Sequence, residues 1–157
     1  MHYIDLPAHQ TFLISQKILI VEAEKLLVLK SRKSEFVSKS QWELPGGIVE
    51  MDEDLEEALK REANEEAGIE IIVHQPIAVW SHWQKNFKFK DGRVLDVRCI
   101  QIAYIGKAKG DKIKLSEEHK EYKWATKEEL KAMDFSPNTA PAIQAYISNA
   151  TINRDIN

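Results

Sequence analysis

The segment from Glu53 to Ala67 constrains this chain more than any other, because it predicts a helix with carboxylates on its core-facing side. On a helical wheel of about 100° per residue, its apolar side chains form one stripe: Leu55, Ala58, Leu59, Ala63 and Ala67. Glu62 and Glu66 fall within that same stripe. A carboxylate that faces a core needs a cation, a metal ion or hydrogen-bond donors, because burying it bare is costly.

The spacing of three glutamates in this segment indicates a cation site. Glu65 and Glu66 follow Glu62 by three and four residues, so the three side chains can converge at one end of the helix. Converging carboxylates repel each other unless a positive charge lies between them. Hard divalent cations prefer carboxylate oxygens, and Mg²⁺ is usually held by a few carboxylates together with water and substrate phosphates. The cluster lacks His and Cys, which argues against zinc.

The alternative for these acids is a solvated helix whose glutamates pair with Lys60 and Arg61. We expect that role for the acids outside the stripe: Glu50, Asp52, Asp54, Glu56 and Glu57. Between Glu50 and Glu66 the chain has a local charge of −7, so the remainder carries +4. An acidic segment in a mildly basic body suits neither a groove for duplex nucleic acid nor a membrane patch, but it suits a cation site that faces phosphate-binding bases.

Composition and cysteine usage predict a cytoplasmic protein. No apolar run approaches the roughly 20 residues that a membrane helix needs, and Met1–Gln10 lacks the pattern of a signal peptide. Cys99 is the single cysteine, which excludes an intramolecular disulfide and fits a reducing compartment. We expect Cys99 to be a small buried side chain in a strand.

The rest of the chain predicts alternating strands and helices, hence a mixed α/β domain. Two strands are expected at Lys17–Val21 and Leu26–Lys30, and a β-like segment from Ile69 to Trp80 is interrupted at Pro76. Asp91-Gly92 predicts the turn of a hairpin. Thr126 to Glu129 has a capping-box pattern. The last helix is expected at Asn138–Ser148.

The spacing of fixed residues around the glutamates resembles the Nudix box. Gly47 is followed by five residues, Glu53, seven residues, and then Arg61-Glu62-Ala63-Asn64-Glu65-Glu66-Ala67-Gly68-Ile69. Every fixed position of the box matches, and Trp42-Glu43-Leu44-Pro45-Gly46 is similar to its usual lead-in. The resemblance covers 23 of 157 positions and elsewhere extends only to layout. It implies a three-layer α/β/α sandwich with a mixed sheet, as one Nudix hydrolase domain over residues 1–157.

The resemblance also implies a metal site. Glu62 and Glu66 look like metal ligands, and Glu65 looks like a further ligand or a water-activating base. Gly47 looks like the loop position at which a backbone carbonyl approaches the metal, where glycine permits a close turn. Mg²⁺ is the expected ion, with Mn²⁺ as a substitute.

Catalytic roles follow from the same resemblance. Arg61 looks like the residue that orients a box glutamate by ion pairing, and Glu53 has either a supporting role or a structural one. The general base lies either in the box or in a distant loop, so Glu65 and Glu117 are both candidates. Glu117 belongs to a stretch, continuing to Trp124, that is similar to a common Nudix C-terminal pattern; its alternative is a solvated loop acid.

Two regions outside the box are candidates for substrate contacts. Arg32 lies among basic residues before the box and is a candidate for binding phosphate, although for such a residue taken alone surface solubility is the better explanation. Trp83 belongs to an aromatic cluster with Trp80, His82 and Phe87. An exposed ring there can stack on a base for about 1–3 kcal/mol; the alternative is strand-core packing.

These observations predict a metal-dependent hydrolase that cleaves a diphosphate linkage by attack of water at phosphorus. The substrate is a nucleoside triphosphate, or a nucleoside diphosphate linked to another group. The alternative is a non-catalytic nucleotide sensor on the same fold, but an intact box argues against it. We expect a small-molecule nucleotide as ligand, no membrane or duplex nucleic acid as partner, and a homodimer. The sequence leaves the particular nucleotide open.

Overall fold

A computed structural model describes residues 11–33 and 39–149. Six strands occur in this part of the chain: β1 (Thr11–Glu22), β2 (Lys25–Ser31), β3 (Trp42–Glu43), β4 (Ile71–Lys88), β5 (Val94–Ala108) and β6 (His119–Ala125). The helices are α1 (Leu55–Ala67), α2 (Lys127–Lys131) and α3 (Ala140–Ser148). None of the helices in the described ranges is long and apolar enough to cross a membrane.

The sheet is mixed, as expected. Its strand order is β3-β2-β1-β5-β4, and β6 also pairs with β2. Strands β1 and β5 are parallel, from the pair Thr11 and Val97 to the pair Ile20 and Gly106, whereas β4 and β5 form an antiparallel hairpin. Strands β1 and β2 pair at the turn that joins them, at Val21 with Leu26 and Glu22 with Lys25. Beyond this turn, the edge of β1 is open to another partner.

Helices cover both faces of the sheet. Alternate residues of a strand point to opposite faces, so Ile18 and Ile20 of β1 pack with Leu59 and Ala63 of α1 in one core cluster. Leu19 and Val21 belong to the other cluster, which includes α2 and α3 side chains: Leu130, Ala142, Ile143 and Tyr146. The predicted α/β/α sandwich is therefore confirmed.

Residues 44–47, which form the glycine loop, occupy the open edge of β1. The N–H groups of Ile18 and Gln16 donate to the carbonyls of Pro45 and Gly47 at 2.9 and 2.8 Å. Gly46 has φ of +138°, and a Cβ at this position would lie 2.1 Å from the carbonyl oxygen of Gln16. Only glycine fits so close to the strand. The loop therefore lies against β1 immediately before α1.

Some predicted boundaries are wrong by a few residues. Helix α1 begins at Leu55 because the Asp54 side chain caps it by accepting from the Glu56 N–H, so Glu53 lies outside the helix. Gly68 ends α1 in the left-handed conformation, as predicted. The last helix begins at Ala140 instead of Asn138.

Strand β4 also departs from the prediction. It continues through Pro76, where the pairing with β5 shifts register instead of ending. A proline is tolerated at such an irregularity because its missing N–H is lost from a ladder that is already disrupted. The capping box at Thr126 and the hairpin turn near Gly92 are confirmed. The expected absence of a leader in Met1–Gln10, and part of the loop before the box, lie outside the described residues.

Candidate active site

Two glutamates of α1 reach the glycine loop. The Oε2 atom of Glu66 accepts a hydrogen bond from the Gly46 N–H at 2.9 Å. A Cβ at Gly47 would lie 2.3 Å from Oε1 of Glu62. The absence of a side chain at Gly47 therefore leaves room for the Glu62 carboxylate beside the loop backbone.

Arg61 connects three carboxylates of the box. Its guanidinium donates to both oxygens of Glu53, with Nη2 2.9 Å from Oε2. Its Nη1 also donates to Glu62 at 2.8 Å and to Glu65 at 3.2 Å. The bond to Arg61 lowers the pKa of Glu53 to about 2, and the same bond holds the pKa of Arg61 above its ordinary range. The expected ion pairing of Arg61 with box glutamates is therefore present.

Glu62 and Glu66 are less exposed than Glu65, the third glutamate of this helical turn. The Glu62 side chain is 16% exposed, whereas that of Glu65 is 57% exposed. Burial raises the pKa of Glu62 against the pull of Arg61. Burial likewise raises the pKa of Glu66 to about 7, against the opposing effects of Lys17, the Gly46 N–H and His119. Two carboxylates are thus held where the protein itself compensates their charge incompletely.

Lys17 is a buried member of the site that the sequence reasoning missed. The side chain lies beneath the glycine loop, where Nζ donates to the carbonyls of Leu44 at 3.2 Å and Gly46 at 3.1 Å. The signal in the sequence was a single lysine at the start of the apolar run Ile18–Val21. A charge at that position in a core strand requires partners.

The buried His119 pairs with the partly buried Glu43 next to the site. His119 Nε2 is 2.9 Å from Glu43 Oε1, and Nδ1 is 3.3 Å from the Ser116 hydroxyl. Burial lowers the pKa of His119, but the bond to Glu43 and the charge of Glu66 outweigh it, so the pKa is raised. The Ser116 N–H donates to the Glu66 carbonyl at 3.0 Å. This network joins β3 and β6 to the end of α1.

The donor set fits a hard divalent cation, although the side chains are not arranged around one. Glu62, Glu65 and Glu66 offer only oxygen, and two of these carboxylates are incompletely compensated, as Mg²⁺ sites require. Within residues 11–33 and 39–149, however, no three His, Cys, Asp or Glu side chains converge as metal ligands do. Arg61 and the Gly46 N–H instead hold the carboxylate oxygens.

The Gly47 carbonyl, which the resemblance assigns to a metal, is hydrogen-bonded to β1 in this structure. This oxygen accepts from the Gln16 N–H at 2.8 Å and from the Ser15 hydroxyl at 3.1 Å, so β1 engages both of its lone pairs. What Gly47 provides in this structure is space for Glu62, not a free carbonyl.

Glu117 and Arg32 lie in two neighbouring segments beside the C-terminal end of α1, and we call this exposed surface the rim. Glu117 is an exposed residue of the turn that follows Ser116, and the exposed Arg32 donates its N–H to the carbonyl of Glu118 at 2.8 Å. Neither side chain bonds to a box glutamate among the residues that the structure describes. The turn nevertheless borders Glu66 through the Ser116 bond.

Trp83 lies apart from the glutamates, on the sheet face that α1 covers further along. It is 54% exposed, and the Arg98 guanidinium lies 5.3 Å from its ring centre. Trp83 of β4 pairs with Arg98 of β5, and Arg98 pairs with Phe12 of β1. Phe12 lies four residues before Gln16, the β1 residue that bonds to Gly47. Strand geometry then separates Trp83 from Gln16 of β1 by about 13 Å along and about 10 Å across the sheet, and the loop lies beyond β1. Trp83 is not a core residue, and it does not contact the box.

A family model for the NUDIX domain matches residues 13–146. The chain belongs to the Nudix family. Nucleoside triphosphatase NudI of Escherichia coli O139:H28 (strain E24377A / ETEC) is 29% identical over 120 residues, which cover 75% of this Nudix chain and 84% of the relative.

Solved structures agree with this assignment. The MutT protein from Methanosarcina mazei Go1 superposes with a TM-score of 0.69 at 27% identity, covering 95% of this chain and 98% of the other. The E. coli ORF135 protein gives 0.66 at 25% identity, covering 88% and 91%. With its family and its relatives, this chain is a Nudix-type pyrophosphohydrolase.

Proposed function

We propose that this Nudix enzyme hydrolyses a diphosphate linkage of a nucleoside triphosphate with Mg²⁺ held by Glu62, Glu65 and Glu66. One observation carries the proposal: Glu62 and Glu66 lie one helical turn apart, are largely buried beside the glycine loop, and lack full charge compensation. A buried carboxylate pair of this kind is costly unless a cation joins it. Mn²⁺ is the expected substitute.

When bound, the metal neutralises phosphate oxygens, acidifies water and aligns the attack. The residues of the chain prepare that arrangement. Arg61 holds Glu62 and Glu65 against the helix and fixes them through its paired bonds to Glu53. The glycine loop binds Glu66 through a backbone N–H. Catalysis by such a site rests mainly on positioning.

Two glutamates are candidates for the general base. Glu65 is exposed on α1 and within reach of Arg61, whereas Glu117 lies in the rim turn beside Glu66. Loss of the acidic limb of the pH–rate profile in Glu65→Gln or in Glu117→Gln identifies the base, because that limb reports the group that must be ionised.

The substrate class rests on the relatives and on the rim. The NudI proteins that this chain resembles are named nucleoside triphosphatases, which favours a triphosphate over a nucleoside diphosphate linked to another group. On this proposal Arg32 contacts phosphate, since it lies on the rim with Glu117, and Trp83 is the candidate for stacking on the base. The homodimer and the cytoplasmic location stay predictions from the sequence.

Hydrolysis of a nucleotide panel tests the proposal. We expect Mg²⁺-dependent turnover of at least one nucleoside triphosphate, which EDTA abolishes. In water enriched in oxygen-18, the label should enter a phosphate-containing product. Label found only in a sugar or base product contradicts attack at phosphorus. Nucleotide binding without turnover, by contrast, would indicate the sensor alternative. Glu56→Gln is the matched control for glutamine substitutions of the proposed metal ligands, and it should keep the Mg²⁺-dependent turnover. Glu56 is exposed and pairs with Lys60 on the outer side of α1.

A further inference from the structure

Lys17 is a charged residue at the start of the buried apolar run of β1. Lys17 is 9% exposed. The residues that follow it in β1, Ile18–Val21, are buried and apolar, and so are Leu26 and Leu27 of the neighbouring β2. Moving an ammonium from water into such surroundings is unfavourable unless the protein supplies partners. Its partners therefore indicate why the strand carries it.

Those partners are backbone oxygens of the glycine loop. The ammonium donates to the carbonyls of Leu44 and Gly46 at 3.2 and 3.1 Å. The N–H of Gly46 in turn donates to Glu66 at 2.9 Å. Lys17 and Glu66 therefore bind the same loop residue, one through its oxygen and the other through its nitrogen.

Lys17 acts on Glu66 through space and not through a salt bridge. In the described ranges, no carboxylate lies within ion-pair distance of the Lys17 ammonium. Its charge nevertheless opposes the burial that raises the pKa of Glu66, and it acts in the same direction on Glu62. Arg61 compensates Glu62 by direct contact, whereas Glu66 has no such guanidinium.

We propose that Lys17 is a positioning residue, a cation built into β1 that holds the glycine loop and partly compensates Glu66 while no metal ion is bound. The site is then assembled before the ion arrives, and the ion adds charge to an arrangement that already exists. The claim that a bound ion adds charge to this arrangement rests on the proposed function. The role of Lys17 in the metal-free protein does not.

A double-mutant cycle on the full chain in EDTA tests the metal-free part. Lys17→Met leaves Glu66 and the Gly46 carbonyl without their cation, so the melting temperature should fall by about 10 °C. At about pH 9, where Glu66 is ionised, Lys17→Met/Glu66→Gln lacks the uncompensated charge, and at least half of the loss should be recovered. Lys60→Met is the control, because Lys60 is an exposed lysine of α1; its melting temperature should change by less than about 2 °C.

The effect of the metal ion is tested by the same thermal melts with Mg²⁺ in place of EDTA and no substrate. We expect the ion to raise the melting temperature of Lys17→Met more than that of the wild type, because it supplies the missing charge. Equal Mg²⁺ shifts in the two proteins would overturn the compensating role toward the ion. If Lys17→Met does not fold, a folded Lys17→Met/Glu66→Gln protein supports the proposal.

The proposal is overturned if Lys17→Met melts like the wild type in EDTA, or if Glu66→Gln restores nothing. Its failure is distinguishable from failure of the proposed function. The melts use no substrate, so they can succeed even where Glu66→Gln proves to retain turnover.

Discussion

Helix α1 and the tip of the β4–β5 hairpin are both rich in charge, yet they use it in different ways. On α1, Arg61 reaches Glu53 eight residues earlier, and Glu66 reaches Gly46 twenty residues earlier. At the hairpin tip, Arg93 pairs with Asp91 only two residues away. The first set of contacts joins separate segments into a site, and the second serves only the turn in which it occurs.

Exposure explains the difference. Lys85, Lys88 and Lys90 of the hairpin are exposed, and none pairs with a carboxylate among the described residues. Water screens such charges, so each contributes little to stability and can be replaced cheaply. Charges beside the glycine loop are shielded from water, so each must be balanced by the protein or by a ligand. Density of charge therefore says less about function than burial of charge.

The sharpest test of this contrast removes charge from each region in turn. Glu62→Gln and Glu66→Gln should each lower kcat/KM by at least about a hundredfold with Mg²⁺, because each removes a carboxylate that we assign to the ion. Lys88→Ala in the hairpin should change it by less than twofold. Folding of all three variants is checked by circular dichroism. Near wild-type turnover in either glutamine variant would refute the ligand assignment.

Burial of charge on α1 should also make the metal-free protein sensitive to pH. Glu66 has a folded-state pKa of about 7 against an ordinary value of 4.5, so the folded state binds the proton more tightly. Its contribution to stability is present at low pH and is lost as the pH rises from about 4.5 to about 7. Between pH 5 and pH 7 this group should lower the free energy of unfolding by about 2 kcal/mol.

Urea unfolding in EDTA measures this loss, and Glu66→Gln is its control. The free energy of unfolding of the wild type, relative to that of Glu66→Gln, should fall toward high pH, because glutamine does not ionise. A pH dependence that is identical in the two proteins would show that Glu66 is not the group responsible.

Arg61 tests whether the geometry of its contacts matters beyond charge. Arg61→Lys keeps the charge but cannot bind both oxygens of Glu53 while reaching Glu62 and Glu65. We expect kcat to fall about twentyfold with KM changed by less than about threefold, because positioning of the glutamates is lost. Arg93→Lys, at the hairpin tip, is the matched substitution and should have no effect on either constant. Equal activity of Arg61→Lys and the wild type would show that charge alone suffices.

The smallest expected effect concerns Trp83, which lies in β4 of the hairpin. If Trp83 stacks on the base, Trp83→Ala should raise KM about tenfold while kcat stays within about threefold. Because the ring is 54% exposed, stability should fall by less than the ~3–5 kcal/mol typical of a buried aromatic residue. Unchanged KM together with an unchanged melting temperature would place base recognition elsewhere.

The sequence predicted the box helix and its pairings well because spacing alone determines them. Glu62, Glu65 and Glu66 share one helical turn wherever the helix lies, and Gly68 must end it. The sandwich followed because strand and helix patterns alternate along the chain. Arg61 was expected to pair with a box glutamate, and Glu65, four residues away on the same helix, lies within side-chain reach. Its bonds to Glu53, eight residues earlier, depend on how the segment before α1 folds back.

The rest depended on which segments meet in space. Lys17 joins the site only because β1 separates from β2 and the glycine loop fills the opening, an arrangement that no local pattern encodes. The same pairing engages the Gly47 carbonyl, which the family pattern had suggested for the metal. His119 meets Glu43 from 76 residues away. Burial of such groups was visible in the structure and not in their spacing.

The position of β1 between the glycine loop and β5 also determines when the site can form during synthesis. The complete box has been made once Ile69 is added, but the β1 strand that supports it pairs with β5, which ends at Ala108. Parallel pairing of segments so far apart along the chain is slow because a long loop must close first. A nascent chain therefore completes the box about forty residues before it completes the strand that pairs with β1.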